Sequence, residues 1–247
     1  MSRRCTSIDD CRPHNCDNAT WEVYGIKGSG TKPDCVGLYA GRKLLILAGA
    51  DNVWQDLKRH QEMFGLEGYE VMCINRICCD VMFPVNHVAT AHPEWIRGYI
   101  YERCCKPHGE RNKPIFHSDH VVNASEGRHM DTGADLSDVV DYHWQDLGNQ
   151  VASSGWLGVL IATCMGYDKI AIAGMPLDFV NHQHYYDPPR DYIHDHNIRL
   201  DPLTNLIIDK SLEYTKENLP RVMQIARSFS GKTRDLLGEP TLEWWNE

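Results

Sequence analysis

The stretch that most constrains this chain is residues 151–178, VASSGWLGVLIATCMGYDKIAIAGMPLD, which reads as turn, helix, strand and turn without a break. Ser153, Ser154 and Gly155 make a small polar turn, and Trp156 to Met165 then run apolar with no charge on any face. A helix apolar all round has to be enclosed by protein on every side. Gly166 supplies a left-handed stop. Asp168 leads into Lys169-Ile-Ala-Ile-Ala173, whose β-branched and small residues predict a strand buried on both faces, as in a parallel sheet. Gly174-Met175-Pro176 breaks that strand. Ligands of open α/β sheets sit at loops leaving the carboxyl ends of strands, and Ser-Ser-Gly ahead of a helix is a natural anion seat.

Further units of the same kind lie upstream. Lys43-Leu-Leu-Ile-Leu-Ala48 is the first clear strand, ended by Gly49-Ala-Asp-Asn52, after which Val53, Leu57 and Phe64 keep helical spacing. The turn has one glycine rather than Gly-x-Gly-x-x-Gly, so NAD is not an expected ligand. Asp51 or Asn52 suits either an ordinary N-cap or a ligand contact. Tyr69-Glu-Val-Met-Cys-Ile-Asn75 is the second strand and sets Asn75 at its carboxyl edge, either as a turn residue or as a contact to a base or ribose. Val85 to Thr90 is a third strand that delivers His92, ahead of Pro93, to a loop on the same edge, with a helix over Ile96 to Arg103. Pro114 to His117 reads as another strand. The expected fold is α/β and Rossmann-like, a mostly parallel sheet with helices on both faces over residues 41–247. An irregular Cys-rich arm, residues 1–40, precedes it, with a short edge strand at Trp21 to Tyr24.

A net charge of −9 argues against a nucleic-acid binder that relies on a basic surface, while leaving room for a nucleotide pocket. No apolar run reaches the roughly 18 residues of a membrane span. Met1-Ser-Arg-Arg-Cys5 lacks the apolar core of a secretory signal, so the expected location is the cytoplasm. Among the ten cysteines, the adjacent pairs Cys78-Cys79 and Cys104-Cys105, with Cys73 and Cys164 in apolar segments, read as free thiols. Cys5, Cys11, His14 and Cys16, with Cys35 further on, are soft ligands in a segment too polar to fold alone. They are read as a structural zinc set or as a draped arm.

The remaining polar clusters carry candidate chemistry. His117-Ser-Asp119-His120 matches half of the His-x-His-x-Asp-His run of metallo-β-lactamase-type hydrolases, with Ile115 at the first position. His182, His184, His194 and His196 lie within 15 residues downstream of a strand end, as metal ligands, as a general base near neutral pH, or as an exposed lid. Leu206 to Ala226 keeps a helical period interrupted at Pro220. Ala226 to Gly238 reads as a basic Ser-rich turn before a short helix, in which Arg227, Lys232 and Arg234 face a phosphate or balance an acidic protein.

Three blocks in order, Leu45 to Asp51, Val71 to Asn75, and Ser153-Ser154-Gly155 through Gly174, resemble two families: bacterial sialyltransferases of the Campylobacter type and archaeal-type 6-hydroxymethylpterin diphosphokinase-like proteins. The sialyltransferase resemblance implies metal-independent transfer from a nucleotide-sugar donor of CMP or UDP type. It implies that Gly49, Asn75, Ser153, Ser154 and Gly155 hold the nucleotide and that one of His182, His184, His194 and His196 is the base. Asp51 and His92 join that wall by position. The family has Asn before the first-turn glycine and Pro-Ser after it, where this chain has Ala48 and Ala50-Asp51. The second family implies a pyrophosphokinase-like transferase using ATP and Mg²⁺. The chain as a whole, through its Arg-Ser-x-Ser-Gly-x-Thr-Arg-x-Leu-Leu-Gly ending, is similar to a group of tailed-phage proteins. That likeness brings no known function; the alternative reading is a phage-encoded virion-associated or binding protein that keeps the fold without catalysis, partnered by virion proteins or by a second copy of the chain.

Overall fold

The computed structural model describes residues 19–105, 112–121, 135–148, 153–178, 185 and 202–247, with residues 202–204 as backbone only. Strands β1 (Thr20–Val23) and β2 (Ile26–Ser29) form a separate antiparallel hairpin. The main sheet has seven strands: β3 (Lys43–Leu47), β4 (Glu70–Ile74), β5 (His87–Thr90), β6 (Ile115–Ser118), β7 (Tyr142–His143), β8 (Lys169–Ala173) and β9 (Ala226–Ser228). Their order is β7-β6-β5-β4-β3-β8-β9, and every neighbouring pair is parallel. The helices are α1 (Val53–Phe64), α2 (Ile96–Ile100), α3 (Ser154–Met165), α4 (Pro202–Asn218), α5 (Pro220–Ile225), α6 (Gly231–Leu237) and α7 (Leu242–Asn246). This is the α/β Rossmann-like architecture.

Alternate residues of the central strands serve opposite faces. Leu44, Ile46, Met72 and Ile74 share a core with α3 and with Ile208 and Leu212 of α4, whereas Leu45, Leu47, Val71 and Cys73 pack with Leu57 of α1, Ile96 of α2 and the Trp244–Trp245 pair of α7. Both faces being covered explains why these strands read as continuous apolar runs. Helix α3 is buried from Gly155 to Met165, begins on the Ser153 hydroxyl, which accepts the Trp156 N–H, and ends on left-handed Gly166.

The sequence understates three regions. The segment read as an irregular arm forms the β1–β2 hairpin and sends Ile26 and Cys35 into the α3-side core. Cys35 therefore packs as a small hydrophobe, while Cys5, Cys11, His14 and Cys16 lie outside the described residues. β7 and β9 were not legible as strands because two or three polar-flanked residues at a sheet edge carry no period. Ala226 to Ser228, expected as a turn, pairs with β8.

His117 belongs to a buried chain of hydrogen bonds. The Trp144 indole N–H, which only donates, reaches His117 Nδ1 at 3.1 Å, so the His117 proton sits on Nε2 and faces His87 Nδ1 at 3.1 Å. His87 Nε2 then faces Glu70 Oε2 at 3.3 Å, and that oxygen also accepts the Tyr167 hydroxyl. Arg42 donates to Glu70 Oε1 at 2.6 Å. Burial, followed by the neighbouring His87, holds the His117 pKa well below its ordinary value. His117 of the half-motif is thus a satisfied core side chain, while Asp119 and His120 are partly exposed and paired to each other at 2.8 Å. Among the described residues no three His, Cys, Asp or Glu side chains converge as a metal site.

Candidate functional site

β3 and β8 sit side by side, yet the chain leaves them for opposite faces: β3 feeds α1, and β8 is followed by α4 on the α3 side. That reversal opens a crevice at the carboxyl ends, where open α/β sheets bind ligands. The two exits are tied together by Ala48 N–H to Ala173 O at 2.9 Å and Ala50 N–H to Gly174 O at 3.0 Å. Gly174 makes this approach possible. It has φ of +69°, and a Cβ there would lie 2.5 Å from Val53 Cβ and 2.7 Å from Ala48 O.

Beneath the crevice, Asp56 on the first turn of α1 is 6% exposed. Its Oδ2 accepts Gly174 N–H at 2.9 Å, the Ser230 hydroxyl at 2.9 Å and Asn52 Nδ2 at 3.2 Å. One carboxylate oxygen thereby fastens the exits of β3, β8 and β9. Asp56→Asn keeps the volume but removes the charge and turns one end of the group into a donor. It is expected to cost about 1–3 kcal/mol in chemical denaturation, and an unchanged unfolding midpoint would refute the anchoring role.

The other wall is rich in donors. Asn75 leaves β4 in a left-handed conformation (φ +55°), which Asn tolerates better than most residues. Its Oδ1 accepts the Thr90 hydroxyl at 2.7 Å. Thr90 Oγ1 in turn accepts the His92 N–H at 2.9 Å, and Ser154 Oγ accepts the Ala91 N–H at 3.3 Å. Asn75, Thr90, Ala91, His92 and Ser154 thus form one hydrogen-bonded cluster where β4, β5 and α3 meet. Among the described residues no acceptor takes Asn75 Nδ2 or the hydroxyl protons of Ser153 and Ser154, which are left to donate. The amides of Ser154 and Gly155 belong to the first turn of α3, where no intrahelical acceptor exists. Gly155 also lies against Met175, whose Sδ stands 2.3 Å from where a Cβ would be. The dipole of this 12-residue helix favours negative charge at the same spot.

Tyr185 is tied to the β3 side of the crevice. Tyr185 donates its N–H to Gly49 O at 3.1 Å and its hydroxyl to Asp80, and its ring meets Trp54 edge-on at 5.6 Å. His182, His184, His194 and His196 lie outside the described residues. Asp51 lies on the β3 exit, and the His92 ring is about half exposed, with Nδ1 at 3.4 Å from Glu94.

The three cations do not share a site. The Arg227 guanidinium donates to Met223 O and Ala226 O, closing the end of α5, and lies 5.3 Å from the Trp244 ring centre. Lys232 pairs with Asp209 at 2.6 Å, and its backbone N–H binds Pro176 O at 2.8 Å beside the β8 exit. Arg234 is on the surface, 3.7 Å from Asp235. Sequence reading missed Asp56, Thr90 and Tyr185. Asp56 had a signal: it stands in the stripe Val53, Asp56, Leu57, His60, where an acid on the apolar face of a helix requires buried partners.

The fold has counterparts among solved structures. The chain matches the sialyltransferase CstII from Campylobacter jejuni in complex with cytidine 5′-monophosphate, with TM-score 0.53 and 12% identity over 82% of this chain and 86% of that one. It also matches the sialyltransferase CST-II in complex with trisaccharide acceptor and CMP, with TM-score 0.51 and 13% identity over 81% and 87%. No family model matches the chain, and no curated protein matches it either. At these identities the likeness establishes the fold alone. Among the described residues no helix is long and apolar enough to cross a membrane.

Proposed function

We propose that the carboxyl edge of the sheet binds a nucleotide-sugar donor of CMP or UDP type and that the protein transfers its sugar to an acceptor hydroxyl. The observation that carries this reading is the donor cluster of Asn75, Ser153 and Ser154 at the amino end of α3. It meets the acceptor-rich phosphate and base of a nucleotide with hydrogen-bond donors and no carboxylate. Gly49 and Gly155 provide close backbone approach, with Asp51 and His92 at the rim. That two structures of the same fold hold CMP supports the choice of ligand.

The reaction needs two services. The acceptor oxygen attacks the anomeric carbon while the bond from that carbon to the phosphate oxygen breaks, and the nucleotide departs with the bonding pair. The α3 amides and serines stabilise the phosphate as it takes up charge. A histidine of residues 182–196 takes the acceptor proton. In sequence, His184 is the residue before Tyr185, whose N–H is bound to Gly49 O at the β3 exit.

A thermal-shift panel of CMP, UDP, GDP and ATP, with and without Mg²⁺, tests the reading. Stabilisation by CMP or UDP without metal is expected, amounting to about 2.7 kcal/mol at a hundredfold excess over Kd. Asn75→Gly, which keeps the left-handed backbone at ease but removes the acceptor of the buried Thr90 hydroxyl, should lose most of that shift while costing the unliganded fold about 1–3 kcal/mol. Ser154→Trp should abolish it. A protein indifferent to all four nucleotides would overturn the proposal.

A further inference from the structure

Away from the crevice, a cavity of about 600 Å³ opens between the β1–β2 hairpin, the loop after β7 and helix α4. Its size falls within the roughly 300–1,000 Å³ of small-molecule sites. Trp21 and Tyr214 supply aromatic walls, Glu22, Ser29 and Asp146 supply oxygens, and Lys27 adds a cation.

The wall is built rigidly. Trp21 pairs across the hairpin with Gly28, and a Cβ on Gly28 would lie 2.2 Å from the Trp21 ring, so only glycine admits the indole there. The Trp21 indole N–H donates to Ser29 O at 3.3 Å, and the ring meets Trp144 edge-on at 6.2 Å. Ser29 N–H binds Gln145 O at 3.2 Å, and its hydroxyl donates to Asp146, which is held with φ of +68°. Tyr214 is 38% exposed on α4. An aromatic fixed before binding loses little side-chain entropy when a ligand stacks on it.

The chemistry of the walls selects the ligand. A flat indole face suits a surface of C–H groups, and carboxylates in the same wall accept hydroxyl protons. A pyranose offers both on one small ring. An ammonium ligand would use the same aromatics and carboxylates, but Lys27 offsets one carboxylate and the cavity is larger than an ammonium cage requires. Anionic sugars would meet both Glu22 and Asp146. We propose that this cavity is a carbohydrate-binding pocket for a neutral sugar, stacked on Trp21 and flanked by Tyr214. The inference stands on the cavity and does not rest on the transferase reading.

The test is NMR titration of the full chain, following the Trp21 indole N–H signal, identified by its loss in Trp21→Phe. Methyl β-glucopyranoside, lactose, N-acetylneuraminic acid and choline are the probes, each taken to about 50 mM, which saturates a millimolar site. A saturable shift with at least one neutral sugar and none with choline is expected. Tyr214→Ala, on an exposed helix surface, should weaken that binding about tenfold or more and leave the melting temperature and any CMP response unchanged. Silence of the Trp21 signal with both neutral sugars, or a response confined to choline or the acidic sugar, would overturn the proposal. The CMP response in the same samples reports separately on the crevice.

Discussion

Glu70→Leu is expected to destabilise the fold by about 2–5 kcal/mol, from leaving the two buried donors of His87 and Tyr167 unsatisfied at about 1–3 kcal/mol each, lowering Tm by roughly 10 °C for a chain of this size. The carboxylate is the terminus of the chain Trp144, His117, His87, and it accepts Tyr167 and Arg42 as well. Leucine would leave the His87 and Tyr167 donors facing carbon inside the core. Burial pushes the Glu70 pKa up, but hydrogen bonds from His87, Tyr167 and Arg42 outweigh it and hold the carboxyl at about 2, against 4.5 unperturbed. The folded pKa is depressed, so this contribution is fully present above pH 4.5 and is lost as pH falls through about 2. Integrated over that window it amounts to roughly 3 kcal/mol. Urea denaturation from pH 7 down to acid should show the loss in the parent protein and its absence in Glu70→Leu. Glu70→Gln, which keeps an acceptor but not the charge, should fall between them. A leucine variant as stable as the parent would rule out the carboxylate as the anchor of the chain.

The opposite sign is expected for His60→Leu, a gain of about 1–3 kcal/mol at pH 7. His60 lies on α1, fully buried among Phe64, Tyr69, Phe229 and Trp245, and among the described residues neither ring nitrogen finds a hydrogen-bond partner. Leucine fills a similar volume with no polar atom to satisfy. Burial lowers the His60 pKa from 6.5 to about 4. Above pH 6.5 neither state is protonated at this site. As pH falls from 6.5 towards 4 the unfolded chain takes up a proton that the folded one refuses, and the parent protein should lose roughly 3 kcal/mol that the variant keeps. This window lies above that of Glu70, so the two contributions separate on one pH series. Equal slopes for parent and variant between pH 6.5 and 4 would refute the assignment to His60.

Both residues stand where a sequence reader expects carbon. His60 interrupts the apolar stripe of α1, and His87, His117 and Glu70 begin or sit within strands that are otherwise apolar. A polar residue on a core-facing position is visible in sequence, but its partner is not. The partners come from different strands, and pairing follows from sheet order rather than spacing. The candidate site divides in the same way. Asn75, Ser153 and Ser154 were legible because each ends a strand or begins a helix, and such ends face a sheet edge in any parallel α/β fold. Thr90 and Asp56 do their work through hydrogen bonds to residues 15 and 118 positions away, which no local pattern reports.

By itself the sequence determined the local units: strand, glycine turn and helix, the wholly apolar α3, and the parallel sheet that such buried runs require. These follow from periodicity and from the conformational limits of glycine and proline, which act over a few residues. Only the tertiary structure decided that β8 lies beside β3 and so where the crevice opens, that Arg227 caps a helix instead of facing it, and that the N-terminal hairpin closes a second cavity. Those outcomes depend on which elements bury one another's surfaces. That choice is made by packing across the whole chain, where residues far apart in sequence compete for the same neighbours.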